Sequence, residues 1–181
     1  MSARGHLAML VPTLVLAARL ACAEPPGQLL LPNFDSLTGK SIQSVNITLD
    51  STLLGLAASF LDSSKPDDAA TMQVVSGLRG IYVRSYTFNK DFPYPTADVE
   101  TVRRQLVPPA WQRLVQVHSK EQANVDIYIS VDHGRANGLA IISSEPRQFT
   151  IVNIVGSIDL KKLHQLEGKF GVPKLQLPDG Q

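Results

Sequence analysis

The chain is poor in cysteine. Cys22 is the only one among 181 residues, so no internal disulfide can form, and a cysteine-built zinc site is excluded. A bias of charge is missing too: 17 Lys and Arg stand against 16 Asp and Glu. Such balance gives no electrostatic reason to expect nucleic acid or an anionic lipid surface as partner. No glycine-rich loop joins a strand to a helix, so phosphate cradling has no support. No serine sits in a Gly-x-Ser-x-Gly elbow, and no histidine pair has the spacing of a helical zinc motif. The expectation is a chain without catalytic residues, metal or cofactor.

What is present starts with an address. Arg4 supplies positive charge, Leu7 to Ala18 forms an apolar run, and Ala21-Cys22-Ala23 places small side chains at a cleavage point. That order is the order of a secretory signal peptide. The run is shorter than the roughly twenty residues that span a bilayer. Residues 1–23 are therefore expected to be removed, leaving an exported chain from Glu24 in the periplasm or outside the cell. Loss of Arg4 and Arg19 takes the basic count from 17 to 15 against 16 acids. Cys22 has two possible fates: discarded with the leader, or lipidated as the first mature residue. Arg19 stands where lipidation expects an aliphatic residue, and membrane contact is expected only if Cys22 carries lipid.

Residues 24–34 are Pro-rich and read as a flexible leader, residues 35–171 as one domain, and residues 172–181 as a flexible tail. From Ser44 to Leu49 the residues alternate, with Val45, Ile47 and Leu49 on one side, which predicts a half-buried strand. Asp50 is placed to cap a helix whose apolar stripe is Leu53, Leu54, Ala57, Phe60 and Leu61. Pro66 opens a second helix, with Asp67 and Asp68 in its first turn and Ala69, Met72, Val75 and Leu78 inward; Gly80 closes it. Ile81 to Phe88 is the clearest strand. Thr96 caps a third helix with Val99, Val102 and Leu106 inward, ended by Pro108-Pro109. Four strands follow: Trp111 to His118, Val125 to Asp132, Leu139 to Ser144 and Phe149 to Val155. Asn137-Gly138 reads as a turn, and Ile158 to Leu166 as a last helix. The pattern predicts an α+β domain in two layers, a mainly antiparallel sheet of five to six strands with three to four helices on one face.

One constellation stands out. Tyr82, Arg84, Tyr86 and Phe88 share a strand face, Trp111 and Tyr128 can join them from neighbouring strands, and Phe92 and Tyr94 lie in the adjoining loop. Tyrosine, tryptophan and arginine supply rigid area with a polar handle, as interface hot spots do. The functional expectation is a binding surface on the open sheet face. The structural alternative is cross-strand pairing, with arginine stacked on tyrosine. An enzyme would need distant residues such as His118, Asp126, Tyr128 and Arg84 to converge. Asp126 and Asp132 lie about 20 Å apart along one strand, too far for concerted acid–base work. His133 reads as a loop residue, and Asn46-Ile47-Thr48 as a chance glycosylation sequon within a strand.

Three ordered blocks resemble a family of small exported bacterial proteins known as domain of unknown function 4252. They are Val45 to Asp50, Val75 to Ser85, and Asn137 to Ile142 together with Thr150 to Gly156. The resemblance covers about Asp35 to Gly171. It implies a bacterial envelope setting, at times as a lipoprotein, and carries over no catalytic residue. The function expected is that of a non-enzymatic accessory domain binding an envelope protein or small ligand; an envelope hydrolase is the alternative.

Overall fold

The computed structural model describes residues 25–91, 96–119 and 124–159. The leader expected at 1–23, Phe92, Tyr94, His164, the last helix expected beyond Asp159 and the tail at 172–181 lie outside the described residues. Among the described residues ten elements follow one another: α1 (Asp35–Thr38), β1 (Gln43–Asp50), α2 (Ser51–Ala58), α3 (Pro66–Ser76), β2 (Leu78–Thr87), α4 (Thr96–Arg103), β3 (Gln112–Val117), β4 (Asn124–Asp132), β5 (Arg135–Glu145) and β6 (Gln148–Gly156). The strands form one sheet in the order β1-β2-β6-β5-β4-β3, with every neighbouring pair antiparallel. No helix among the described residues is long and apolar enough to cross a membrane.

The α+β class and the antiparallel sheet are as the alternation predicts. The helices are divided between the two faces rather than gathered on one. Leu54 of α2 and Val74 and Val75 of α3 pack with Ile81, Val83, Val152 and Ile154 beneath the sheet. Leu37 of α1 and Val99 and Val102 of α4 pack with Tyr86, Phe149, Ile151 and Ile142 above it. A sheet dry on both faces explains why β6 is buried from Phe149 to Gly156. Strands enclosed on both sides lose the polar-out alternation that marks a solvated face.

Several local expectations hold. The Asp50 carboxylate accepts the Leu53 N–H at 2.8 Å, capping α2. Pro66 begins α3, with Asp67 and Asp68 in the first turn. Val99, Val102 and Leu106 are buried. Others are corrected. Of the stripe expected on α2, Leu54 alone is fully buried, while Leu53 and Phe60 are exposed. Gly77, not Gly80, terminates α3, and Gly80 belongs to β2. The β4–β5 turn is made by His133 (φ 49°) and Gly134 (φ 74°), joining Asp132 to Arg135. Two left-handed residues are what a tight two-residue hairpin requires. Asn137 and Gly138 lie inside β5 instead.

The segment read as a flexible leader is tied down. Leu29 and Phe34 are buried against the upper face. The Leu29 N–H donates to Asn153 Oδ1 at 2.9 Å, and Asn153 Nδ2 donates to the carbonyls of Gly27 at 2.9 Å and Leu139 at 3.2 Å. Gln105 closes a second clasp: its Oε1 accepts the Leu30 N–H and its Nε2 donates to the Leu30 carbonyl, both at 2.9 Å. Residues 27–34 thus form a strap across β5 and β6. Leu29 and Phe34 of the strap join the upper core, each worth about 1.5–3 kcal/mol on full burial.

Candidate functional site

The strap and α1 decide which part of the aromatic face meets solvent. Phe34 sits at φ 48° before α1, a left-handed conformation costly for a bulky residue. Tertiary packing holds it there: its ring meets Tyr86 edge-on at 5.9 Å and Phe149 at 6.3 Å. The Tyr86 hydroxyl donates to the Asn33 carbonyl at 3.3 Å, and burial raises its pKa above the ordinary 10.0. Ser36 of α1 hydrogen-bonds Asp98 of α4, joining the two helices over this region.

Four of the six expected surface residues are therefore core. Tyr86 is fully buried, and Phe88, Trp111 and Tyr128 are nearly so. They belong with Leu29, Phe34, Leu37 and Val102 to one apolar cluster. The physical reason is the second covering layer, which turns an apparent display of aromatics into packing area.

Tyr82 and Arg84 remain half-exposed. Both lie on the upper face of β2, next to β1, beyond the residues that Phe34 covers. Thr48 stands opposite Tyr82 and Asn46 opposite Arg84 in the β1–β2 register. Asn46 and Thr48 are exposed. The Tyr82 ring lies back over Gly80: a Cβ on that glycine would meet the ring at 2.7 Å. A glycine thus gives the tyrosine a flat seat and the ring covers the backbone in return. Arg84 Nη1 donates to the carbonyls of Ile47 and Val83, both at 3.0 Å, and to Thr48 Oγ1 at 3.4 Å. The guanidinium is held against the strand surface, and no carboxylate among the described residues pairs with it.

The residues that an enzyme reading would combine are not brought together. Arg84, Ile151, Ile142 and Asp126 form one row across the upper face. Three strand spacings, about 14 Å, separate the ends. Asp126 is buried and paired with Arg103 at 3.1 Å, Tyr128 is in the core, and His118 is exposed beyond the end of β3. His133 is exposed beside Asp132 at 3.7 Å. No group of three His, Cys, Asp or Glu among the described residues is arranged to hold a metal. A shallow depression of about 420 Å³ lies between Thr87, Asp91, Glu145, Arg147 and Gln148 at the end of the sheet.

The family model described as Domain of unknown function (DUF4252) matches residues 39–166. No curated protein and no solved structure matches the chain.

Proposed function

The chain belongs to the family described as a domain of unknown function, DUF4252, and from that premise we propose an exported, non-enzymatic accessory domain of the bacterial envelope that binds another envelope protein through the outer surface of β1 and β2. The observation that carries this reading is the contrast within one aromatic row. Tyr86 and Phe88 are consumed by the core, whereas Tyr82 and Arg84 keep accessible surface beside exposed Asn46 and Thr48. Tyrosine seated on glycine is rigid and loses little entropy on contact. Arginine brings five N–H donors in a planar fork suited to carboxylate or backbone carbonyl oxygens. Export rests on the charge, apolar run and small residues of positions 1–23.

A photo-crosslinking residue placed at Thr48, in cells of the native host, tests the proposal. Capture of a defined envelope protein is expected, lost on Tyr82→Ala or Arg84→Ala while the thermal midpoint stays within a few degrees. Capture equal to that from a residue at Leu114 on the opposite edge would refute it. Mass spectrometry of the mature amino terminus decides separately whether Cys22 carries lipid.

A further inference from the structure

The two edges of the sheet are treated differently. At one edge, β3 carries Arg113, and its pairing with β4 is interrupted by a register shift between Arg113 and Val115. Charges and bulges are how edge strands avoid pairing with other chains. At the other edge, β1 pairs with β2 over all eight residues without a shift. Among the described residues, no strand neighbours its outer backbone N–H and C=O groups. Between Lys40 and Asp62 the chain carries a single charged residue, Asp50, and that carboxylate caps α2. The same stretch holds most of the large apolar side chains exposed among the described residues: Ile42, Val45, Leu53, Leu56 and Phe60, the last 83% exposed. Leu53 and Leu56 on the outside of α2 and Phe60 in the turn that follows it keep three- and four-residue spacing and form one exposed stripe.

We propose that this edge is a homodimer interface, in which β1 pairs antiparallel with β1 of a second copy about a two-fold axis, and the α2 stripe closes beside it. An unpaired strand edge presents directional donors and acceptors that another strand matches and a lipid surface does not. A second copy supplies an equally regular strand whose one charge, Asp50, lies at its end, and two-fold pairing is self-complementary. Residues directly opposite in an antiparallel pair point to the same face. The axis must therefore pass through a residue rather than between two, and Asn46 and Ile47 are the central ones. An axis at Ile47 sets Val45 against the partner's Leu49 on the helix side and Asn46 against the partner's Thr48 on the other. It also keeps the two Asp50 carboxylates apart, so no like charges meet. The bulged β3 edge offers β1 no such partner, so the assembly closes at two copies instead of growing into a filament. The dimer deepens the proposed function, because it brings two Tyr82–Arg84 patches onto one continuous sheet.

Light scattering on the purified mature chain tests this. Twice the single-chain mass is expected, falling two-fold in Val45→Lys/Phe60→Glu and unchanged in Leu114→Lys at the opposite edge. As a second measurement, Ile47→Cys should give a covalent dimer under mild oxidation, with the natural chain as control. Single-chain mass at every concentration tried, or a dimer indifferent to the β1 and α2 changes, overturns the proposal. So does an edge occupied only by a different protein. A single-copy chain that still loses its captured partner on Arg84→Ala removes the dimer and leaves the proposed function standing.

Discussion

Asn153 holds Leu29 in place across 124 residues of sequence. Its Oδ1 accepts the Leu29 N–H at 2.9 Å while its Nδ2 serves the carbonyls of Gly27 and Leu139. A fully buried asparagine in the middle of β6 is tolerable because both ends of its amide are satisfied. It converts a Pro-rich segment with no secondary structure of its own into part of the upper layer.

Asn153→Ala should therefore cost far more than an ordinary polar truncation. It strands a buried N–H and a buried carbonyl on the strap, each worth about 1–3 kcal/mol when left unpaired. A loss of roughly 3 kcal/mol is expected in urea unfolding. Amide exchange at Leu29 should speed up before the sheet opens. Protection at Leu29 equal to that of the natural chain would refute the clasp.

Gly138 and Gly134 lie four residues apart in the hairpin and should respond oppositely. A Cβ on Gly138 would collide with the backbone of Gly27, 2.7 Å from its carbonyl oxygen. Backbone cannot rotate away as a side chain can, so Gly138→Ala should cost about 2 kcal/mol or more and loosen the strap. Gly134 has nothing within 4 Å of such a Cβ and a φ of 74°. Gly134→Asn should be nearly neutral, since asparagine tolerates that conformation. Thermal midpoints of the two variants read the difference directly.

The sheet was legible in the sequence because period-two alternation is local, and Asp50 was legible because a cap sits next to its helix. The class, the strands and the inward face of α4 follow from such short-range signals. The strap was not legible. Prolines suggest an open leader, while the partner that fixes Leu29 lies in β6. The strap decides the site, since Tyr86 and Phe88 look like a displayed row until Leu29, Phe34 and the helices α1 and α4 join them in one buried cluster. The apolar side chains at Leu29 and Phe34 were the available hint: a solvated leader has no use for them. Tyr82 and Arg84 kept their exposure because the Phe34 contacts fall on Tyr86 and Phe149.

Alkaline pH should loosen the same region through Tyr86. Burial, the largest cause, raises the phenol above its ordinary pKa of 10.0 in the folded chain. The folded state then holds the proton more firmly than the unfolded one. Its contribution is fully present below pH about 10 and is lost as pH climbs through the raised folded value. Tyr86→Phe removes the titrating group and the bond to the Asn33 carbonyl. It should be slightly less stable at neutral pH and show a flatter decline above pH 10. Parallel stability curves for the two proteins across that range would contradict this.

Arg103 and Asp126 should show an asymmetric response. The pair is 3.1 Å apart, with the Asp126 side chain 11% exposed and that of Arg103 39%. Removing arginine leaves a carboxylate facing the upper core without its cation, whose other oxygen, Oδ1, already lacks a hydrogen-bond partner. Removing the carboxylate leaves an arginine that still reaches solvent and Glu100 at 3.4 Å. Arg103→Ala is therefore expected to cost about 2 kcal/mol, less than the roughly 3–5 kcal/mol of breaking a fully buried pair because solvent screens the cation. Asp126→Asn should cost about half as much. Replacing both, as Arg103→Met with Asp126→Leu, should recover most of the loss, because apolar side chains of similar volume need no desolvated charge. Equal costs for the two single changes, measured by urea unfolding, would show that the carboxylate is better solvated than its burial indicates.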